Sequence, residues 1–243
     1  MKLICFFETY MNNEFFNQFL METVILSLGG SIVAPDGIAI DYIEQFVKLI
    51  SKHKNKRFIV VVGGGKPARM YQSAAKQFHA NNTDLDWIGV RATQLNAELL
   101  RAAFGKEAHS EVINDPSKKL TTKKRVIIAS GWKPGWSTDY DAILFAKQTK
   151  TKFVINMSNI DCVYDKDPNK FIAAKQYSTM SWNELLKLTG TKWDPGANAP
   201  FDPIAAKEAK KIKIEVVVCN GRNLENVDAI IQRKSFVGTT IRD

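Results

Sequence analysis

The sequence predicts an α/β protein with a largely parallel β-sheet. Uninterrupted β-branched runs, such as FIVVV at 58–62, are typical of strands that are buried on both faces. These runs alternate with segments of helical apolar spacing, such as residues 40–50. Glycine-rich turns follow three of the runs. Strands that alternate with helices in this way favour βα units and exclude an all-α or all-β fold.

The strands are predicted from short apolar runs that end at turn residues. They are residues 24–26, 58–62, 126–129, 153–155 and 214–218. Valine and isoleucine dominate these runs, and their branched side chains suit a pleated, buried surface.

The helices are predicted from apolar spacing of three or four residues and from their start signals. They are residues 40–50, 67–78, 88–104, 138–147, 203–211 and 224–231. Pro67 falls in the first turn of the second helix, where its missing N–H costs nothing. Asp202 is a plausible N-cap for the helix that begins at Pro203.

Length and composition limit the possible classes of protein. The chain has 243 residues, of which 45% are hydrophobic, enough for a single domain over residues 21–243. The net charge of +9 is spread along the chain, so we expect no nucleic-acid partner. No apolar run is long enough to span a bilayer, so we expect no membrane partner. Three widely spaced cysteines indicate a reducing compartment.

Residues 1–20 resemble a signal peptide only superficially, because Glu8 interrupts the apolar part and no cleavage site follows. We expect either that Met21 is the natural start or that residues 1–20 are a poorly packed appendage outside the domain. The alternative is an amphipathic helix that docks on a neighbouring chain.

Three glycine-rich turns fall where predicted strands end, at residues 29–31, 63–66 and 131–138. In a parallel sheet these ends share one edge, where ligands bind. Glycine lets backbone N–H groups approach an anion, and a following helix adds partial positive charge. None of the turns has Walker A spacing. Each could be a mere tight turn, but three at one edge favour two phosphorylated ligands and hence phosphoryl transfer.

Six motifs occur in an order that resembles the amino acid kinase family, most closely its archaeal uridylate kinase branch. They are LSLGGS (26–31), VVVGGGKPARMY (60–71), DWIGVRATQLNAELL (86–100), SGWKPGWSTD (130–139), SNIDCVYDKDP (158–168) and FDPIAAK (201–207). The resemblance covers about residues 22–243. Each motif is weak alone, whereas the ordered set is highly specific.

The resemblance implies a three-layer α/β/α sandwich around a mostly parallel sheet of about eight strands. It implies a phosphate-acceptor lobe over about 21–130 and an ATP lobe over about 131–243. The implied reaction transfers the γ-phosphoryl of ATP to UMP with Mg²⁺, in a cytoplasmic homohexamer of pyrimidine nucleotide synthesis. The three histidines are scattered, and we expect no metal site built from the chain alone.

The family's site residues carry over to matching positions. The resemblance implies catalytic roles for Asp202, Lys66 and Arg69. It implies ATP contacts from Ser27, Leu28, Gly29, Gly30, Ser31, Gly64, Arg69, Ser158, Asn159, Tyr164 and Asp167. It implies UMP contacts from Gly63, Asp86, Trp132, Lys133, Pro134, Gly135, Trp136, Ser137 and Thr138.

Three positions depart from the family pattern: Cys162 replaces a glycine, and Ser27 and Trp132 bear on the reaction itself. Ser27 stands where many members have a lysine that offsets charge on the transferring phosphoryl, so Lys66, Lys133, Lys207 or Arg69 would have to supply that charge. Trp132 replaces a small polar residue, which leaves the acceptor open. The alternatives are therefore a kinase for another small phosphate acceptor, or a non-catalytic nucleotide- or oxyanion-binding protein of the same fold.

Overall fold

The computed structural model describes residues 21–168, 170–191 and 199–243. Residues 1–20 lie outside the described residues, and our expectations for this extension stay predictions. No helix in the described part of the chain is long and apolar enough to cross a membrane.

The described residues form alternating strands and helices. The strands are β1 Glu22–Leu28, β2 Lys56–Val62, β3 Val126–Ala129, β4 Phe153–Ser158, β5 Val163–Tyr164, β6 Gln176–Tyr177, β7 Thr179–Met180, β8 Glu215–Asn220 and β9 Thr239–Ile241. The helices are α1 Gly30–Val33, α2 Ile40–Lys52, α3 Gly65–Gln77, α4 Asn82–Phe104, α5 Thr138–Thr149, α6 Trp182–Thr189, α7 Pro203–Lys211 and α8 Leu224–Ile231.

Seven strands form the main sheet, in the order β3-β2-β1-β4-β8-β9-β7. The five central strands from β3 to β8 run parallel, and β9 is antiparallel to β8. The mostly parallel sheet is confirmed, with seven strands among the described residues rather than about eight. β5 and β6 form a separate antiparallel pair.

Helices cover both faces of the sheet, which confirms the three-layer sandwich. Alternate residues of each strand point to opposite faces, and the two faces bury separate apolar clusters. One cluster includes residues of α2, α4 and α8, and the other includes residues of α5, α6 and α7.

Because the five central strands run parallel, their carboxyl ends share one edge of the sheet, here named the carboxyl edge, and their amino ends share the amino edge.

The structure differs from the prediction in the start of one helix and in several short elements that were not predicted. α4 begins at Asn82 rather than at 88, because the Asn81 side chain accepts a hydrogen bond from Asp84 N at 3.0 Å and caps an earlier turn. The sequence prediction missed β5, β6, β7 and β9, which are too short to show a period of two. It also missed the four-residue α1 and the longer α6, although Ser181 and Glu184 form a capping box at the start of α6 whose S-x-x-E spacing is readable.

Candidate active site

The first two glycine turns pack directly against each other at the carboxyl edge. Gly29 N donates to Met157 O at 2.9 Å, and Gly63 N donates to Leu28 O at 2.9 Å. A Cβ atom on Gly30 would lie 2.1 Å from Gly65 N and 2.5 Å from Gly63 C. Gly65 has a φ of +67°, a conformation that favours glycine. These glycines therefore allow two backbones to touch, besides leaving N–H groups open to an anion.

Two buried polar side chains of α4 hold the turns in place. The amide of Asn96 donates to Gly63 O at 2.8 Å and to Gly64 O at 3.1 Å. Thr93 Oγ1 accepts a hydrogen bond from Gly131 N at 2.8 Å. α4 thus sets the second and third turns relative to each other.

The third turn carries an aromatic cluster. The rings of Trp132 and Trp136 lie 5.2 Å apart, and the ring of Tyr140 lies 4.3 Å from that of Trp136. Lys133 Nζ lies 3.8 Å from the centre of the Trp132 ring, a cation–π contact. Asp86 on α4 reaches this turn, since its Oδ2 accepts from Gly135 N at 2.7 Å. Asp86 and the third turn therefore form one side of a common site.

Two aspartates link the strands to the helices behind the turns. Asp139 Oδ1 accepts hydrogen bonds from Ser27 Oγ at 2.8 Å and from Asn156 Nδ2 at 2.7 Å. Asp202 Oδ2 accepts from Ser137 Oγ, and Asp202 Oδ1 accepts from Ile204 N at 2.8 Å, which caps α7 as predicted. Burial raises the pKa of Asp139 to about 6, with a further rise from the charge of Asp202. Burial also raises the pKa of Asp202.

A third carboxyl group lies deeper, on Asp141. Asp141 is fully buried, and its Oδ2 accepts from Trp132 N at 3.1 Å. Its Oδ1 has no hydrogen-bond partner. Burial raises the pKa of Asp141 to about 8, with smaller rises from Asp139 and Asp202. The group is therefore mostly protonated at neutral pH, which removes the cost of an isolated buried charge.

We expect Asp141→Asn to remove part of the pH dependence of stability. Because the folded pKa lies above the unfolded value of 3.8, the folded state holds the proton longer, and stability falls as pH rises toward 8. This loss reaches at most about 1.4 kcal/mol per pH unit, and the neutral asparagine would not show it. Urea unfolding of both proteins at pH 6 and pH 8 measures the difference. Equal losses in the two proteins would contradict the buried, protonated carboxyl group.

The predicted cations do not meet the two aspartates. Lys66 Nζ pairs with Asp36, whose pKa this contact lowers, and Lys207 Nζ donates to Thr191 O at 2.7 Å. Arg69 is exposed. In the described part of the chain, no salt bridge reaches Asp139 or Asp202. The choice of cation that replaces the family lysine stays open.

Arg222 is a cation that the sequence analysis missed. Its Nη2 donates to Ser31 O at 3.3 Å, so the guanidinium lies beside the first glycine turn. Arg222 lies two residues after the end of β8, and its backbone N–H donates to Asn220 Oδ1 at 3.0 Å, which holds it at that end. Its position after a predicted strand was a usable signal, because that strand also ends at the carboxyl edge.

Four of the predicted ATP residues line one cavity of about 550 Å³: Ser158, Asn159, Tyr164 and Asp167. Leu188 and Thr189 of α6 complete its wall with Pro200. The cavity therefore brings together three separate segments of the chain. No group of three or more histidine, cysteine, aspartate or glutamate residues within the described ranges could hold a metal ion.

Comparison with known proteins gives a consistent result. The model of the amino acid kinase family matches residues 22–220. This chain belongs to the amino acid kinase family. Among curated members, a uridylate kinase of Thermoplasma volcanium is 36% identical over 225 residues, which are 91% of this chain and 98% of that protein. A uridylate kinase of Methanospirillum hungatei is 35% identical, over 91% of this chain and 95% of that protein.

Solved structures of the amino acid kinase family also match. The uridylate kinase of Archaeoglobus fulgidus superposes with a TM-score of 0.79 at 34% identity, covering 91% of this chain and all of that one (100%). A UMP kinase of Bacillus anthracis gives a TM-score of 0.76 at 20% identity, over 91% of this chain and 96% of that one, and supports the fold alone. The predicted family and fold are therefore confirmed.

Proposed function

We propose that this member of the amino acid kinase family is an ATP-dependent UMP kinase, which transfers the γ-phosphoryl group of ATP to UMP. The name that its relatives carry, uridylate kinase, supports UMP as the acceptor. ATP is the donor that the resemblance to the family implies. Two hydrogen bonds carry the proposal. Ser137 in the third turn donates to Asp202, and Ser27 in β1 donates to Asp139. These contacts join the proposed acceptor side to the proposed ATP side.

The reaction requires alignment of the two nucleotides and stabilisation of negative charge, and it needs no strong base. A phosphate oxygen of UMP is already anionic at neutral pH, so it can attack the γ-phosphorus while the bond to the β-phosphate oxygen breaks. UDP and ADP are the products. Backbone N–H groups in the turns at 29–31 and 63–65 would stabilise the phosphates. Catalysis then comes from alignment of the two nucleotides and from charge stabilisation.

On the ATP side, the first turn would hold the phosphates and the 550 Å³ cavity the adenosine part. Leu28 ends β1, Gly29 is the N-cap of α1, and Gly30 and Ser31 open that helix, so backbone donors follow the strand directly. Gly64 and Arg69 lie at the start of α3, on the neighbouring turn. Arg69 and Lys66 would move toward the γ-phosphoryl once nucleotide is bound.

On the acceptor side, Gly63 and the third turn would hold UMP. Pro134 and Gly135 shape that turn, and Gly135 has a φ of +80°. Ser137 caps α5 by accepting from Tyr140 N at 3.1 Å, and Thr138 is the first residue of that helix. The aromatic faces of Trp132 and Trp136 suit a flat base.

The carboxyl edge also fits Mg²⁺. Asp139 and Asp202 offer carboxylate oxygens, the donors that Mg²⁺ prefers, and no described cation neutralises them. Two carboxylates without a third ligand are typical of a magnesium ion that is held mainly by substrate phosphates. When bound, Mg²⁺ would offset the negative charge of those phosphates.

We expect Asp86→Ala to raise the KM for UMP about tenfold and to change kcat by less than twofold. Asp86 holds the acceptor turn by accepting a hydrogen bond from Gly135 N. Its loss should weaken the binding of UMP by about 1.4 kcal/mol, equally in the ground state and in the transition state, so KM rises and kcat does not fall. Asp84→Ala is the matched control, because Asp84 lies in the first turn of the same helix and is exposed. A higher KM in both variants, or in neither, would contradict the role of Asp86.

A homohexamer is part of the proposal, and an exposed apolar face supports self-association. The α3–α4 apolar face consists of Met70, Tyr71, Trp87, Leu95 and Leu99. Leu95 lies eight residues after Trp87, and Leu99 lies four residues after Leu95, so the three side chains share one side of α4. Leu95 is 69% exposed and Tyr71 is 70% exposed, which is unusual for such large apolar side chains. The cytoplasmic location that the family implies stays a prediction.

We expect Leu95→Glu to reduce the mass of the assembly, because a charge in a packed apolar interface is costly. Light scattering after size exclusion measures that mass at micromolar concentration. Ile172→Glu is the control, since Ile172 is fully exposed outside this face and its substitution should leave the mass unchanged. A monomeric wild-type protein would contradict the proposed assembly.

An acceptor panel tests the proposed function and its rivals. With ATP and Mg²⁺, we expect UMP to give the highest kcat/KM among UMP, CMP, AMP, GMP and small phosphomonoesters. The Trp132–Lys133–Trp136 cluster is the reason to include other acceptors. Turnover on another acceptor without UMP turnover would favour a related kinase. ATP binding without turnover on any acceptor would favour a non-catalytic protein.

A further inference from the structure

A second, larger cavity opens at the amino edge of the sheet, away from the candidate active site. Its volume is about 1230 Å³, more than twice that of the cavity at Tyr164. It is lined by the starts of β1, β4 and β8 and by the ends of α5 and α7. The glycine turns and the three buried aspartates contribute nothing to it.

The lining of this cavity is strongly basic. It contains eight cationic side chains: Lys150, Lys152, Lys207, Lys210, Lys211, Lys213, Arg233 and Arg242. Its acidic side chains are Glu22, Glu215 and Asp243. The cavity therefore carries a surplus of five positive charges, more than half of the net charge of +9 of the whole chain.

The glutamates of the cavity pair with its arginines, and Glu22 also pairs with Lys56, whereas the lysines of the cavity form no ion pair within the described part of the chain. Arg233 lies 3.7 Å from Glu22 and 3.8 Å from Glu215, and Arg242 lies 3.1 Å from Glu215. The third carboxylate, of Asp243, accepts from Trp182 N at 3.1 Å. None of the six lysines forms an ion pair with a described residue. Lys152, Lys207 and Lys210 donate hydrogen bonds only to neutral oxygens of other residues. No described carboxylate therefore compensates the positive charge of the six lysines.

Helix ends account for only part of this charge. α5, α7 and α8 end at the amino edge, and cations stabilise the negative end of a helix. Each end is equivalent to about −0.5 elementary charge, so three ends offset about 1.5 of the five positive charges. A surplus of about 3.5 remains. One phosphate group carries about 1.5 to 2 negative charges, so two or more linked phosphates match the remainder.

Backbone geometry fixes where three of these cations lie. Lys150, Lys213 and Arg233 have φ values of 59°, 55° and 58°. Glycine would adopt this left-handed conformation with less strain, by about 1 kcal/mol. Among the described residues, the one other such non-glycine residue is His79. Each of the three cations lies one or two residues after the end of α5, α7 or α8, where a left-handed residue closes the last turn, so the helix ends themselves place these charges at the cavity.

We infer that the amino-edge cavity binds a small polyphosphate, either inorganic or the triphosphate group of a nucleotide. Lysine ammonium groups serve as point charges for phosphate, and the volume admits a whole nucleoside triphosphate. The site is separate from the proposed kinase reaction and does not depend on it.

Calorimetry with tripolyphosphate tests this inference on the full chain. We expect the Lys150→Glu/Lys213→Glu variant to bind one equivalent of tripolyphosphate fewer than the wild-type protein. Any tripolyphosphate bound at the candidate active site should be the same in both proteins. Lys106→Glu/Lys119→Glu is the control, because both lysines are exposed and neither lines the cavity. Thermal unfolding of each variant checks that it folds. Wild-type binding should weaken steeply with added salt.

Two results would overturn the inference: an equal number of bound equivalents in the wild-type protein and in the cavity variant, or an equal loss in the control variant. Titration with UTP distinguishes the sources of phosphate. If UTP binds the wild-type protein more tightly than tripolyphosphate does, and the cavity variant loses this binding, the ligand is a nucleotide. Equal affinity supports recognition of the phosphates alone. Because the readout is binding, failure of this test leaves the proposed kinase activity untouched, and the reverse also holds.

Discussion

Asp202→Asn is expected to lower kcat at least tenfold, equivalent to about 1.4 kcal/mol, and to leave the affinity for UMP nearly intact. Asparagine caps a helix as well as aspartate does, so the bond to Ile204 N is kept and only the charge is lost. The change then affects the carboxylate that faces Ser137 and, in our proposal, the transferring phosphoryl group.

Asp228→Asn is the matched control for this prediction. Asp228 is also partly buried, and it pairs with Lys52 and His53, contacts that lie apart from Asp202. Its loss should affect stability but not kcat. Steady-state kinetics with UMP and ATP measures both variants. An unchanged kcat in Asp202→Asn would remove Asp202 from the chemistry.

Gly30→Ala is expected to destabilise the protein by about 3 kcal/mol or more, near the upper end for an overpacked site. The new Cβ would lie 2.1 Å from Gly65 N, and a backbone atom cannot turn away as a flexible side chain can. A chain of this length should then lose about 6 °C or more in Tm. The first two turns would also separate, which should weaken ATP binding.

Gly37→Ala is the control for the close packing. A Cβ on Gly37 meets nothing within 4 Å, and Gly37 has no positive φ. Its substitution should change the free energy of unfolding by less than about 0.5 kcal/mol. Thermal and urea unfolding compare the two variants with the wild-type protein. Equal stability of Gly30→Ala and wild type would contradict the contact between the turns.

Much of the fold was predictable because its information is local. The predicted bounds of α7 and α8 match the structure, since a capping residue or a turn marks each end. β2 and β3 were evident from apolar runs that need no partner to be recognised. The short edge strands were not predictable, because two or three residues acquire strand geometry only from their neighbours.

The site was less predictable, because its main contacts join distant parts of the chain. The packing of Gly30 against Gly63 and Gly65 cannot be read from either turn alone. Asn96 was a partial exception, since it interrupts the apolar side of α4 beside Ala97 and Leu100. A polar residue in such a position needs a buried partner, and that partner is the second glycine turn.

Ser27 gains a clear structural role. Its hydroxyl donates to Asp139, where the family's lysine would bring a positive charge. Without that charge the carboxyl group stays unpaired, and burial raises its pKa to about 6. Lys66 is held by Asp36, and Arg222 lies beside the first turn. In the proposed reaction, Mg²⁺ or one of these side chains would therefore have to supply the missing positive charge when the nucleotides bind.

The central claim is that a phosphoryl group passes from ATP to UMP on this chain. The most direct measurement is a single-turnover experiment with γ-³²P-labelled ATP, UMP and Mg²⁺, quenched and separated by chromatography. Our account predicts that the label leaves ATP and appears in UDP, with one UDP formed for each ADP. Label in inorganic phosphate, or label that stays in bound ATP in the presence of UMP, would contradict the account.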